Sequence, residues 1–172
     1  SSMILLGICV VAVLVGALRL ATEQAQQPPG SSVSNAADGA LALYTWMSEL
    51  GIQTSRLTSR AIDPSITSLI VLEPAALPDS DARDVYSTFA DRGGRLIVAG
   101  DSLQWAATAR VLGVRVAPSS ASQDVTTPDG LTLPLTARYR LSADDAEPLL
   151  SAEDGQLVGL RMPYRNGTLV VI

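Results

Sequence analysis

The chain has 172 residues with 12 basic against 17 acidic side chains, a formal net charge of −5, no histidine and one cysteine. Ser-His-Asp and Cys-His catalysis, His-ligated metals, Cys-ligated zinc and an intrachain disulfide cannot be built from such an inventory. All twelve basic residues are arginine, which also removes Schiff-base lysine chemistry, and the acidic balance argues against nucleic acid as a partner. Carboxylate pairs, a serine without its usual base, or an oxygen-ligated Mg or Ca site remain as chemical options.

No charged residue occurs from Ser1 to Leu18. A run of about 18 apolar residues is long enough to cross the ~30 Å hydrocarbon core as a helix. Residues 1–21 are therefore expected to form a transmembrane anchor, crossing the cell membrane once with the domain on the extracytoplasmic side. A cleaved signal peptide would need a basic region ahead of the apolar core, and no basic residue precedes Arg19. Cys9 follows Ile8 rather than a small residue, so it reads as an apolar helix residue and not as a lipidation site. Residues 22–34, with Pro28-Pro29 among Gln and Ser, read as a polar tether. Residues 35–172 suit a single domain.

Asn35 can cap the first helix of that domain, with Asp38 in its first turn, Leu43, Met47 and Leu50 at helical spacing and Gly51 as a left-handed stop. Ile52 to Leu57 can form a short strand. Ser68 to Leu72 is an unbroken apolar run ending at Glu73-Pro74, the pattern of a strand covered on both faces. A second helix starts near Pro78-Asp79-Ser80-Asp81, presents Ala82, Val85, Tyr86 and Phe89 on one face and stops at Gly93-Gly94. Arg95 to Gly100 is a second buried strand, and Asp101-Ser102 leads into a helix over 103–112 with Gly113 as its stop. This βαβα order predicts a parallel sheet sandwiched between helices. Beyond Val114 the segments shorten. Pro128-Asp129-Gly130 marks a turn, Ala137 to Leu141 alternates with both arginines on one face, and Arg165-Asn166-Gly167 marks a second tight turn, Asn-Gly readily taking positive φ, that leads into the apolar strand 168–172. A strand so apolar is expected inside the sheet, and its position at Ile172 suggests a fragment of a longer protein.

Gly39-Ala-Leu-Ala-Leu-Tyr44, Leu50-Gly51-Ile52, Arg92-Gly-Gly-Arg-Leu-Ile-Val-Ala-Gly100 and Asn166-Gly-Thr-Leu-Val-Val171 resemble a bacterial membrane-protein family of unknown function with a class I glutamine-amidotransferase-like domain, often encoded beside MoxR-type AAA ATPases. The resemblance implies an α/β three-layer sandwich with a mostly parallel sheet, amidotransferase-like or flavodoxin-like, behind the anchor. The family pattern continues past the last strand with a Ser-Asp pair, an Asn and a second span. In true amidotransferases a nucleophilic cysteine stands where this chain has Gly100-Asp101-Ser102, so the resemblance implies the fold without glutaminase chemistry.

Glu73 and Asp101 follow two strands expected to be adjacent and parallel, where open α/β sheets bind ligands. Together with Ser102 they are the candidate ligand-binding residues, able to hold a divalent cation or share a proton. The competing reading makes Asp101 or Ser102 a helix cap and leaves Glu73 solvated. Asp79, Asp81 and Asp84 resemble the start of a calcium loop, but first-turn helix carboxylates explain them as well. Gly93-Gly94 ends a helix rather than opening one, which argues against a phosphate loop. Arg138 and Arg140 could bind an acidic partner or simply be solvated, and Trp46 and Trp105 read as packing residues. No catalytic residue, metal or cofactor is assigned. The favoured function is a membrane-anchored, catalytically inactive domain binding a protein or ligand within an envelope complex. The alternatives are a carboxylate- or metal-dependent hydrolase using Glu73 and Asp101, and an extracytoplasmic sensing or transport-accessory domain for a sugar or peptide.

Overall fold

The computed structural model describes residues 40–57, 61–74, 76–122, 124–135 and 137–172. The anchor expected over 1–21, the tether over 22–34, and the cap and first-turn roles of Asn35 and Asp38 lie outside the described residues. Among the described residues no helix is long and apolar enough to cross a membrane.

The chain divides into two compact units, Ser1–Thr54 and Ser55–Ile172. In the first, helix α1 spans Leu41–Glu49 and ends where Gly51 takes φ 77°. The Ile52 amide donates to Met47 O at 3.0 Å, closing the helix terminus. This local use of the backbone corrects one expectation: residues 52–57 form no strand. Ser48 and Thr54 instead share a hydroxyl hydrogen bond of 2.8 Å.

In the second unit, strand β1 (Ser68–Leu72) leads through helix α2 (Ser80–Asp91) to β2 (Arg95–Ala99), then helix α3 (Leu103–Val111). Seven strands follow: β3 (Arg115–Ser122), β4 (Val125–Thr126), β5 (Thr132–Leu133), β6 (Ala137–Ser142), β7 (Glu147–Ala152), β8 (Leu157–Tyr164) and β9 (Gly167–Val171). Asp79 caps α2, its Oδ1 accepting the Ala82 amide at 2.8 Å, and Gly93 at φ 84° follows the helix end.

The architecture corrects the expected three-layer parallel sandwich. The main sheet has seven strands in the order β1-β2-β9-β8-β7-β4-β5, and β3 and β6 form a separate two-stranded ribbon. Only β1-β2 and β2-β9 pair in parallel; the remaining pairs are antiparallel. The described residues are thus mostly β, with a mixed sheet and three short helices, and their fold is not amidotransferase-like or flavodoxin-like. The cause lies in the connections. The helix between β1 and β2 is long enough for a parallel crossover, whereas the two-residue turn Arg165-Asn166 between β8 and β9 permits only an antiparallel return. The expectation that Ser68 to Leu72 is covered on both faces also fails, because β1 stands at one end of the strand order and leaves Ile70 exposed.

The core gathers on β2, β8 and β9: Leu96, Val98, Leu160, Leu169 and Val171 are fully buried, with Phe89 of α2 and Trp105 of α3 packed against them. The apolar strand 168–172 does lie inside the sheet, between β2 and β8. Its tight turn falls within the expected Arg165-Asn166-Gly167, but the positive φ expected of Asn-Gly is taken by Arg165 instead. Arg165 and Asn166 make the turn, Arg165 takes the positive φ of 55°, and Gly167 is already a strand residue paired with Tyr164. The Arg165 guanidinium bonds Asp91 at 3.1 Å and the Asn166 amide bonds Asp91 O at 3.1 Å, holding this turn to the end of α2.

Candidate functional site

The pairing Leu72↔Ala99 brings the residues after β1 and β2 side by side. The Glu73 amide continues the ladder by donating to Ala99 O at 2.9 Å, and the Gly100 amide donates to Ile172 O at 3.0 Å. Glu73 then departs from strand geometry with φ 40° although Pro74 follows it. Left-handed backbone is unfavourable for a residue with a Cβ. Its side chain folds across the neighbouring turn, where Oε1 accepts the Asp101 amide at 2.5 Å. Gly100 makes this possible: at φ 156°, a Cβ there would sit 2.5 Å from Glu73 Oε1.

The two carboxylates therefore meet the same turn but do not converge on a common ligand position. Asp101 reaches the other way, its Oδ2 lying 3.2 Å from Arg138 Nε on β6. Both side chains of that pair are more than half exposed, so it contributes at most about 1 kcal/mol. Ser102 caps α3, its Oγ accepting the Trp105 amide at 3.1 Å. The Trp105 ring, buried, donates its indole N–H to Val98 O at 3.4 Å and lies 5.5 Å from the Tyr139 ring. Turn, helix start and ribbon are thus joined by two neighbouring contacts, Asp101 with Arg138 and Trp105 with Tyr139.

Structure brings together all three sequence-derived residues, Glu73, Asp101 and Ser102, and adds Arg138, read from sequence as either a contact for an acidic partner or a solvated strand charge. Alternation shows that Arg138 points away from Tyr139 and Leu141; which acid it meets depends on where the ribbon packs. Asp79 caps α2 and Asp81 lies in its first turn, as first-turn helix carboxylates do. Among the described residues no three His, Cys, Asp or Glu side chains gather as metal ligands.

Strain at Glu73 has a measurable signature. Glu73→Ala keeps the left-handed backbone and loses the acceptor, while Glu73→Gly loses the acceptor and relieves the backbone. The glycine variant should be more stable than the alanine variant by about 1–2 kcal/mol in urea unfolding. Glu73→Gln keeps an acceptor for the Asp101 amide and should lie closest to the parent. Equal stability of the alanine and glycine variants would show that Glu73 is not strained.

A family model described as "Domain of unknown function (DUF4350)" matches residues 32–172. No curated protein matches the chain. Among solved structures, the chain is similar to the exo-beta-1,4-mannosidase Op5Man5 from Opitutaceae bacterium strain TAV5, at 19% identity and a TM-score of 0.56 over 77% of this chain and 25% of that one. Beta-galactosidases from Bacillus circulans sp. alkalophilus (12% identity, TM-score 0.37, 62% of this chain and 18% of that one) and Rahnella sp. R3 (16%, 0.38, 62% and 19%) also match. The mannosidase likeness is one of fold alone, the chain spanning about a quarter of that protein's length. The two galactosidase superpositions are too loose to carry an argument.

Proposed function

We propose, from the premise that this chain belongs to the DUF4350 family, that it is a non-catalytic binding component of a membrane-attached envelope complex. One observation carries the reading. At the crevice beyond the parallel strands, where open sheets commonly place reacting groups, each candidate side chain already has an internal task. Glu73 holds the Asp101 amide, Asp101 pairs with Arg138, and Ser102 caps α3. Using any of them as a base, nucleophile or metal ligand would mean breaking a bond that shapes the turn. Glu73 and Ser102 are then positioning residues, and the exposed Asp101–Arg138 pair is the polar face the turn offers to a partner. The uncharged stretch from Ser1 to Leu18 supports attachment to the cell membrane with the domain outside.

The test sets binding against catalysis at one residue. Affinity capture with the full chain from detergent-solubilised membranes should retain a protein partner, and Asp101→Asn should reduce that capture. Titrating Mg²⁺ or Ca²⁺ should leave the melting temperature unchanged, because a cation held only by the folded state would raise it. A metal-dependent rise that disappears in Asp101→Asn would replace this reading with a metal-dependent hydrolase.

A further inference from the structure

The chain has two asparagines, Asn35 before Ala36 and Asn166 before Gly167. An asparagine loses its amide when the backbone nitrogen of the next residue attacks Cγ, and a glycine in that position puts no side chain in the way. Asn166-Gly167 is therefore the unit of this sequence most prone to the loss. It stands at the β8–β9 turn with Asn166 exposed to water. The closed turn opposes the attack in two ways. Asn166 Nδ2 donates to Asp91 O at 3.1 Å, which draws the carboxamide to the end of α2. The attacking nitrogen is occupied as well. The Thr168 amide faces β2 and donates to Gly94 O at 3.2 Å, so alternation along β9 turns the Gly167 N–H the other way, towards its pair Tyr164. Giving up that proton, as the attack requires, breaks the rung that closes the hairpin.

The product fits the turn badly, for reasons equally local. Hydrolysis leaves an aspartate or an isoaspartate at position 166. An aspartate has no N–H to give Asp91 O, so two acceptors face each other beside the carboxylate that holds Arg165. An isoaspartate carries the main chain through the former side chain and lengthens it by one carbon. Gly167 has no space for such a shift, because even an added Cβ would meet Gly94 O and Ala90 O, both backbone atoms.

We propose that Asn166 is a modification site controlled by the fold: it deamidates when the β8–β9 turn opens, and the product keeps the turn from closing again. Hydroxide takes the Gly167 N–H proton, the nitrogen bonds to Asn166 Cγ, the Cγ–Nδ2 bond breaks, and ammonia leaves with a proton from water. Water then adds to one carbonyl of the resulting succinimide and breaks its bond to the ring nitrogen, giving aspartate or isoaspartate. Nothing is oxidised or reduced; water enters and ammonia departs. Because β9 lies between β2 and β8, damage at its entry turn keeps the central strand from returning. The turn thereby records opening, and a chain that has stayed open long enough to react is withdrawn irreversibly from the folded population.

The experiment holds the full chain in neutral detergent at mildly alkaline pH, beside the free peptide Ac-Tyr-Arg-Asn-Gly-Thr-NH2 in the same buffer, and follows loss of the Asn166 amide by peptide mass mapping. The folded chain should react at least about tenfold more slowly than the peptide, because only its open fraction reacts. In urea, chain and peptide should react alike. Arg165→Gln, which removes the tie to Asp91, should speed the loss without urea and leave the rate in urea unchanged. Diluting the urea after a brief incubation should return folded chain. After a long one, the yield should fall in step with conversion, the folded fraction keeping the amide and the unfolded fraction carrying the product. If the briefly unfolded chain does not refold, Asn166→Asp decides the point by unfolding at a lower urea concentration than the parent. Equal rates in the folded chain and the peptide, an unaltered rate in Arg165→Gln, modified chains refolding as well as the parent, or an unchanged midpoint in Asn166→Asp would each overturn the proposal.

Discussion

Phe89→Ala should destabilise the second unit by about 3–5 kcal/mol, a large share of the roughly 5–15 kcal/mol that holds an ordinary domain folded. Phe89 is 1% exposed and sits in the last turns of α2, where the chain turns back through Gly93 and Gly94 into β2. Its ring fills the space beside Gly94: a Cβ on that glycine would stand 2.5 Å from Phe89 Cε1. Backbone on one side and the sheet on the other leave little freedom to collapse around a truncated side chain, so the cavity should persist. Urea unfolding should show a lower midpoint with an unchanged slope, and Phe89→Leu should fall between the two. A loss below about 1 kcal/mol for the alanine variant would mean that α2 does not pack as described.

Gly167→Ala should be similarly severe for a different reason, with an expected loss of about 3 kcal/mol or more. An added Cβ would collide with the Gly94 carbonyl oxygen and stand 3.0 Å from Ala90 O. Both obstacles are backbone atoms, and Gly94 O also accepts the Thr168 amide at 3.2 Å. Relief requires β9 to move away from the end of α2, which disturbs the Arg95↔Thr168 and Leu96↔Leu169 pairs at the centre of the sheet. Gly155→Ala is the informative comparison. Gly155 has φ 78° but nothing within 4 Å of the added carbon, so it should lose only the about 1 kcal/mol of an unfavourable backbone conformation. If the two variants lose the same stability, the close approach at Gly167 is not real.

What could be read from sequence was mostly local. Asp79 and Ser102 each stand before a helical pattern, and a cap is satisfied within three residues, so their roles need no knowledge of the rest of the chain. The ends of β1 and β2 were legible for a similar reason, since two apolar runs joined by a helix leave one plausible pairing, and Glu73 and Asp101 follow it. The fold class was not legible. Ser68 to Leu72 and Thr168 to Ile172 are equally apolar, yet one is at the end of the strand order and the other is central, because burial on a sheet is decided by partners distant in sequence. Asn166-Gly167 suggested a loop through its tolerance of positive φ. The structure uses that glycine for its missing Cβ and gives the positive φ to Arg165, whose side chain gains Asp91 as a partner. Glu73 misled in the opposite sense: nothing about a glutamate before proline announces left-handed backbone, and the glycine that makes room for its carboxylate is 27 positions away at Gly100.

The place of β9 in the sheet has a consequence for how the protein is made. It is the last of the described strands in chain order and lies between β2 and β8. Synthesis delivers a chain from its N-terminus, so β1 and β2 emerge with one side of β2 unpaired, and β8 emerges joined to β7 and β4 with its other side unpaired. Until Thr168 to Val171 arrive, Leu96 and Val98 on β2 and Leu160 on β8 lack the β9 neighbours Leu169 and Val171 that complete their packing. Assembly is therefore not progressive along the chain. The closing pair, Leu96 with Leu169, bridges more than 70 residues, a separation that slows folding by the entropy of the loop it closes. The parallel and antiparallel parts of the sheet wait for a single late strand to join them, and throughout that wait the open side of β2 presents unpaired backbone groups.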